Sequence, residues 1–141
     1  MLSIGMFPVE RGKHDTGAVA ASVKILNQQK VLGMYPEGTR SRDGQLQRGT
    51  SGAVRIAMTA ETPLVPAVVI NSDQIMGGFK RLRDKPVVTV RFGEPIRFEG
   101  SVDDPKVVRD NLQKTMIAMA RLLPPAQRGY YADAAADARG S

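Results

Sequence analysis

The chain has 141 residues, of which 42% are hydrophobic, and its 20 basic and 14 acidic side chains give a formal charge of +6. This length fits one domain with a moderate core, and no run approaches the ~18 apolar residues that a membrane-spanning helix needs. The absence of cysteine excludes disulfides and thiolate metal sites, and a single histidine argues against a zinc site built by the protein.

The first half of the chain predicts alternating strands and helices. Residues 2–9 have the apolar character of a strand, and a capped helix is predicted from about residue 15 to residue 29. Residues 31–35 have the length and character of a short buried strand, which Pro36 ends by removing a backbone donor. The glycine-rich turn at residues 49–52 leads into a second helix, which we expect to be buried on most faces.

The second half predicts two more strands and a long amphipathic helix. Residues 64–70 and 87–92 have strand character, and residues 105–123 carry apolar side chains at steps of three and four along one face. We expect the methionines of this helix to fill the core. Beyond two prolines the sequence is rich in alanine and charge without periodicity, which predicts a flexible tail over residues 124–141 after a folded part at 1–123.

Strands that alternate with helices predict an α/β fold with a largely parallel sheet, flanked by helices and connected by right-handed crossovers. Between the last two strands, residues 77–85 form a predicted loop with four basic side chains around a phenylalanine and a leucine. This loop is a candidate for contact with an anionic membrane surface. The alternative is a solvated connection whose charges keep the edge of the sheet soluble.

The positive charge of the chain favours polyanionic partners such as anionic lipid headgroups, coenzyme A phosphates or an acidic carrier protein. Nucleic acid would be attracted by the same charge. However, aromatic residues make up only 5% of the chain, tryptophan is absent, and no recognition-helix or RNA-binding signature is present. We therefore expect no nucleic-acid partner.

Residues 35–41, Tyr-Pro-Glu-Gly-Thr-Arg-Ser, place a carboxylate, a glycine, a hydroxyl and a guanidinium directly after a predicted strand. In open α/β sheets ligands usually bind at the carboxyl edge of the strands. The guanidinium of Arg40 offers two parallel donors that match the oxygens of a phosphate. The segment is therefore a candidate phosphate site, and the alternative is a surface turn in which Glu37 and Arg40 pair with each other.

Three segments of the chain, in this order, resemble motifs of the glycerolipid acyltransferases that acylate lysophosphatidic acid. Residues 4–11 resemble the second motif of that family, the YPEGTRS segment resembles the third, and residues 64–66 resemble the fourth. The resemblance extends over residues 4–98 and rests on the order and spacing of the motifs. It implies an α/β fold like that of glycerol-3-phosphate acyltransferase.

The first motif of that family, a histidine separated from an aspartate by four residues, would precede residue 4 and is not found in this sequence. In the family the histidine is the general base and the aspartate orients it. The one histidine here, His14, follows the second motif, and Val19 stands where the aspartate would be. We therefore identify no catalytic residue and expect a domain that is incomplete at its N-terminus, through a late start, a gene fragment or a catalytically reduced relative.

The resemblance implies transfer of a fatty acyl group to 1-acyl-sn-glycerol-3-phosphate (lysophosphatidic acid) in phospholipid (phosphatidic acid) biosynthesis. The co-substrate would be acyl-CoA or acyl carrier protein, with no bound cofactor and no metal. The enzyme would work at the cytoplasmic face of the membrane as a peripheral protein, without a transmembrane segment in this chain. The alternative is an inactive fragment or module that binds lysophospholipid or phosphate without turnover.

The resemblance also assigns residues to the substrate. Those expected to bind its phosphate are Arg11, Glu37, Gly38, Thr39 and Arg40. The two arginines would neutralise the dianion, and Glu37 would orient an arginine or accept a hydrogen bond from a glycerol hydroxyl. Pro66 would shape the wall beside the acyl chain. Without the segment that carries the first motif, one face of the sheet should be uncovered, which predicts self-association through that face.

Overall fold

The computed structural model describes residues 16–38, 41, 43–72 and 87–137, and the predicted strand at 2–9 and the basic loop at 77–85 lie outside them. The described residues form a small arrangement of helices packed with a pair of strands. In chain order the elements are α1 (Thr16–Asn27), α2 (Gly52–Thr59), β1 (Ala67–Ile70), β2 (Thr89–Phe92), α3 (Pro105–Leu122) and α4 (Ala132–Ala136). Within these ranges no helix has both the length and the apolar character needed to cross a bilayer.

Both helices predicted in the first half are confirmed. Helix α1 ends before Gln29, whose positive φ of 60° cannot continue a right-handed helix. Helix α2 buries Val54, Ile56 and Ala57, as its dense apolar pattern predicts. The two helices pack against each other, because each presents small and branched apolar side chains on one side.

Strands β1 and β2 pair antiparallel, with Ala67 opposite Phe92 and Ile70 opposite Thr89. The prediction of a largely parallel sheet is therefore wrong for the strand pair that the structure describes. Parallel neighbours need a crossover, usually a helix, whereas antiparallel neighbours can be joined by a simple loop. The sequence between these strands carries no helical pattern, which agrees with an antiparallel arrangement.

Residues 31–35 form no strand, although their apolar character predicts one. Val31 is 96% exposed and Tyr35 is 87% exposed. A strand needs a partner that satisfies its backbone donors and acceptors. Because β1 and β2 pair with each other and no strand among the described residues lies beside 31–35, this prediction is wrong.

The long amphipathic helix is confirmed as α3. Its start is fixed by Asp104, whose side chain accepts a hydrogen bond of 2.8 Å from the backbone N–H of Lys106. The face predicted from spacing is the buried one, with Val108, Met116 and Met119 inside. Both methionines therefore fill the core, as expected.

The core lies between the β1–β2 pair, α3 and the segment that follows α3. Its buried members are Leu46, Val68, Ile70, Met116, Met119, Ala120, Leu123, Tyr131 and Ala135. Two of these residues, Tyr131 and Ala135, come from the region predicted as a tail. The remaining members come from the helix and strand whose patterns predict burial and from one loop residue, Leu46.

Regular structure is present after α3 between residues 125 and 136, a part of the range 124–141 for which composition predicts a flexible tail. Two 3₁₀ turns, Pro125–Gln127 and Gly129–Tyr131, lead directly into α4. Composition missed these elements because a three-residue turn and a five-residue helix are too short to show a hydrophobic period. These elements are held in place by contacts with residues that are distant in the sequence, and a local sequence pattern does not contain such contacts.

Candidate functional site

Residues 35–38 form a turn, here termed the pinned turn, at the start of the EGTR segment (residues 37–40). The backbone N–H of Gly38 donates to the carbonyl of Tyr35 at 3.1 Å, and Gly38 has a φ of 65°, which glycine adopts without strain. The carbonyl of Pro36 accepts from Thr50 twice, from its backbone N–H at 2.7 Å and from its hydroxyl at 2.8 Å. The entry to the segment is therefore fixed to the residues just before α2.

Glu37 is half-buried, and its Oε2 atom accepts a hydrogen bond of 2.7 Å from the backbone N–H of Gln47. Hydrogen bonds to a charged carboxylate are stronger than those between neutral groups. This bond links the EGTR segment to a residue ten positions later in the sequence and so closes the loop between them. The structure thus gives Glu37 a part in holding its own loop, beside the contacts with an arginine or a glycerol hydroxyl that the sequence predicts.

Asp43 organises the residues that follow the EGTR segment. Its Oδ1 atom accepts from the Ser41 hydroxyl at 2.9 Å, from the Gln45 backbone N–H at 3.0 Å and from the Gln47 side-chain amide at 3.1 Å. These bonds favour the ionised form, so the pKa of Asp43 lies below its ordinary value of 3.8, with the Gln45 N–H as the largest cause. Sequence reasoning missed this residue.

The lowered pKa fixes the direction of the pH dependence at Asp43. The ionised carboxylate is preferred in the folded loop, so its contribution is fully present above the unfolded pKa. As the pH falls through the lower folded pKa, the carboxylate takes up a proton and the contribution is lost. The bonds to the Asp43 carboxylate are therefore fully present at neutral pH and weaken as the pH falls through its lowered pKa.

Replacing Asp43 with alanine is expected to speed amide exchange at Gln45 by about three- to tenfold, because the N–H loses its acceptor. The measurement is NMR-detected exchange at constant pH near 6. Asp43→Asn is the matched control, since the amide keeps an oxygen at the same position and should restore most of the protection. Equal exchange rates in the parent and the alanine variant would show that Asp43 does not hold the loop.

The structure brings two of the predicted phosphate-binding residues, Glu37 and Gly38, onto one turn. The other three residues predicted to bind phosphate, Arg11, Thr39 and Arg40, lie outside the described residues. His14, considered above as a general base, also lies outside them. Thr39 and Arg40 directly follow Gly38 in the sequence. Their binding of phosphate stays a prediction.

Pro66 lies inside the fold, with less than 2% of its surface exposed. Its carbonyl accepts from the backbone N–H of Gly93 at 2.8 Å, and its ring lies at van der Waals distance from the Cβ position of Gly93. The role predicted for Pro66, shaping a wall beside the acyl chain, stays a prediction. Because Pro66 is buried, it would have to shape this wall indirectly, by supporting the residues packed against it.

The segment after α3 bonds to the loop that follows the EGTR segment. Leu46 donates its backbone N–H to the carbonyl of Gln127 at 2.9 Å and accepts at its own carbonyl from the N–H of Tyr130 at 3.1 Å. The backbone N–H of Gly49 donates to the hydroxyl of Tyr131 at 3.1 Å. Sequence reasoning missed these contacts, and no local pattern signals them.

Two close approaches accompany these bonds. A Cβ atom on Gly129, whose φ is 50°, would contact the backbone O, N and C atoms of Leu46. A Cβ atom on Gly49 would lie 2.6 Å from the sulfur of Met116 in α3. The approach at Gly129 requires glycine because it meets backbone atoms, whereas a Cβ atom at Gly49 would require the side chain of Met116 to shift.

Comparison with known proteins gives a consistent result over most of the chain. The family model described as Acyltransferase matches residues 1–70. The 1-acyl-sn-glycerol-3-phosphate acyltransferase of Bacillus subtilis (strain 168) is 34% identical over 94 residues, which are 66% of this chain and 44% of that protein. The protein of the same name from Limnanthes douglasii is 30% identical over 109 residues, 76% of this chain and 38% of that protein.

The human 1-acyl-sn-glycerol-3-phosphate acyltransferase alpha is 27% identical over 106 residues, which are 74% of this chain and 38% of that protein. The chain thus spans less than half the length of the curated relatives described here. No solved structure matches it. The family match covers the pinned turn and the EGTR segment, whereas the C-terminal contacts with the loop come from residues beyond position 70.

Proposed function

Because the chain belongs to the acyltransferase family, we propose that it transfers a fatty acyl group to 1-acyl-sn-glycerol-3-phosphate in phospholipid synthesis. The acyl donor would be acyl-CoA or acyl carrier protein, used as a co-substrate. Relatives from a bacterium, a plant and a human are all named for this acceptor, which supports the proposed substrate class.

The observation that carries the proposal is the pinned turn at the entry to the EGTR segment. A phosphate site needs donors that are held in place before the ligand arrives. Glu37 is bonded to Gln47, and Pro36 is bonded twice to Thr50. These bonds restrict the path of the chain up to Gly38, and this restriction supports a phosphate-binding role for the two residues that follow it in the sequence.

The start of α2 adds support for an anion beside this turn. Helix α2 begins at Gly52, two residues after Thr50, and Ser51 at its N-cap makes no side-chain hydrogen bond to it. The first N–H groups of a helix have no partner within the helix and carry partial positive charge. A phosphate near the turn would therefore meet a favourable potential from α2 as well as from the arginines.

In the proposed reaction, Arg11 and Arg40 bind the phosphate of the acceptor, and Thr39 donates a hydroxyl hydrogen bond. The free hydroxyl oxygen of the acceptor attacks the carbonyl carbon of the thioester. The C–S bond breaks, and the proton lost by the hydroxyl ends on the departing thiol. A general base assists this transfer, and none of the residues considered above is assigned to that role.

We also propose self-association through what we term the apolar hairpin face, which consists of Ala67, Val69, Val90 and Phe92. The register places Ala67 opposite Phe92 and Val69 opposite Val90, so that all four side chains lie on one side of the strand pair. All four are exposed, whereas Val68 and Ile70 on the other side are buried. An exposed apolar patch of this kind supports contact with a second copy.

Peripheral attachment to the cytoplasmic face of an anionic membrane completes the proposal. It is supported by the formal charge of +6 and by the four basic side chains at positions 77–85. Charge of this sign attracts the acidic headgroups among which the lipid acceptor resides. Binding to vesicles with and without phosphatidylserine tests this part of the proposal, which predicts stronger binding to the acidic vesicles.

The proposed function is tested with Arg40→Ala and purified lysophosphatidic acid. We expect the parent chain to bind this lipid and the variant to bind it about 10- to 100-fold more weakly, because a charged hydrogen bond to the phosphate is lost. Arg97→Ala, which removes an exposed arginine outside the turn, is the matched control and should bind like the parent. Equal binding by the parent and Arg40→Ala would contradict the phosphate assignment.

An assay of acyl transfer from oleoyl-CoA, on the same proteins, separates the two functions considered for the chain. Turnover that Arg40→Ala lowers supports the acyltransferase. Binding that depends on Arg40 but occurs without turnover supports the alternative, a module that binds lysophospholipid. Absence of both binding and turnover in the parent chain contradicts both functions.

A further inference from the structure

We propose that residues 127–131, here termed the C-terminal clamp, position the turn at residues 35–38, which leads into the EGTR segment, for phosphate binding. The clamp acts through residues 46–50, which lie between it and the turn. This inference rests on the proposed function of the EGTR segment. It assigns a part in the site to residues beyond the family match, which ends at residue 70.

The first step is the attachment of the clamp to the loop. Leu46 is bonded through both its N–H and its carbonyl, to Gln127 and Tyr130, which fixes its backbone on both sides. Three residues on, the N–H of Gly49 is bonded to the hydroxyl of Tyr131. The loop is therefore held at two points by one short segment.

The second step passes from the loop to the turn. Gln47 donates its backbone N–H to Glu37, and Thr50 donates its backbone N–H and its hydroxyl to Pro36. Each of these residues directly follows one that is bonded to the clamp. Residues 46–50 thus form a strip with the clamp on one side and the EGTR turn on the other.

The third step concerns how closely the two sides are linked. Adjacent residues share a planar peptide group, so a shift of Leu46 or Gly49 also moves the N–H of its neighbour. Hydrogen bonds weaken when the donor moves a few tenths of an ångström from its preferred distance. A loosened clamp is therefore expected to lengthen the bonds that hold Glu37 and Pro36.

The clamp is itself anchored in the core. Tyr131 is buried and belongs to the same cluster as Met116 of α3, and Arg128 is buried with its Nε donating to the carbonyl of Leu123 at 3.2 Å. Arg48 lies over the ring of Tyr130 at 4.9 Å and adds a contact at the rim. The turn is thus tied through the strip and the clamp to α3, the longest helix of the described structure.

The test compares Tyr131→Phe with Tyr130→Phe. The first variant keeps the buried ring and removes only the hydroxyl that accepts from Gly49. The second keeps the ring that Arg48 covers and removes an exposed hydroxyl, so it is the matched control. Both full-length variants are examined for amide exchange by NMR and for affinity for lysophosphatidic acid.

We expect Tyr131→Phe to speed exchange at Gly49 and at Thr50 and to weaken lipid binding by about three- to tenfold. Tyr130→Phe should match the parent in all three quantities. Thr50 is the decisive position, because its N–H is bonded to Pro36 and not to Tyr131. A purely local role of the hydroxyl would change exchange at Gly49 alone.

The proposal is overturned if Tyr131→Phe leaves exchange at Thr50 at the parent value, or if exchange rises there while lipid affinity stays unchanged. A parent chain that binds no lysophosphatidic acid would refute the proposed function instead. In that case exchange at Thr50 still decides whether the clamp positions the turn. Faster exchange would support the link, and unchanged exchange would refute it.

Discussion

Replacing Gly129 with alanine is expected to lower the free energy of unfolding by about 2–5 kcal/mol. A left-handed conformation costs a residue with a Cβ atom about 1–2 kcal/mol, and forcing extra volume into a packed site costs about 1–3 kcal/mol. Both costs apply here, because Gly129 has a φ of 50° and its Cβ would meet Leu46. The atoms it would meet belong to the backbone, so no side chain can rotate away.

Urea denaturation measures this loss as a lower midpoint at an unchanged slope. Gly33→Ala is the matched control, since a Cβ there has no atom within 4 Å and the residue has no positive φ. At such a position alanine is expected to be neutral or to stabilise by up to about 1 kcal/mol, through the unfolded chain. Similar midpoints for the two variants would show that the close approach at Gly129 is not required.

Replacing Met116 with alanine is also expected to cost about 2–5 kcal/mol, as for large apolar side chains removed from a packed core. Met116 has no exposed surface and belongs to the cluster that joins β1, α3 and the C-terminal segment. Its sulfur also fills the space beside Gly49. The cavity would therefore open where the loop, the clamp and α3 meet.

The same denaturation experiment tests this prediction, with Met34→Ala as its control. Met34 is 42% exposed, and changes at exposed positions usually stay within about 0.5 kcal/mol. Loss of stability in both variants to the same extent would mean that burial does not decide the cost. A loss confined to Met116→Ala would agree with the core described above.

Helices α1, α2 and α3 could be predicted from the sequence because the residues of each one carry a local pattern. The apolar spacing of α3 contains several turns of a helix, and Asp104 and the following proline mark its start. Helices α1 and α2 are likewise indicated by the local spacing of their apolar residues. In each case the residues that determine the element are neighbours along the chain.

The sheet is harder to predict from the sequence than the helices are, because strand pairing depends on residues that are distant in the chain. The apolar run at residues 31–35 has strand character but no strand beside it among the described residues. The antiparallel pairing of β1 and β2 could have been inferred from the loop-like sequence between them. The general alternation of strands and helices along the chain, by contrast, predicts parallel neighbours.

At the candidate site, the sequence identified Glu37 and Gly38 but not what holds them. Their partners Gln47 and Thr50 are ordinary polar residues whose backbone N–H groups do the bonding. Tyr131, which bonds to the next part of the loop, is more distant still in the sequence. Backbone contacts of this kind leave no residue pattern, so only a three-dimensional structure shows them.

The bond between Gly49 and Tyr131 joins residues 82 positions apart, which has a consequence for how the protein is made. Contacts at large sequence separation close late in folding, since the entropy of a long loop must be lost first. During synthesis the N-terminal part of a chain emerges from the ribosome first. The EGTR turn therefore leaves the ribosome before its clamp, and we expect it to reach its final geometry only after residues 127–131 have been released.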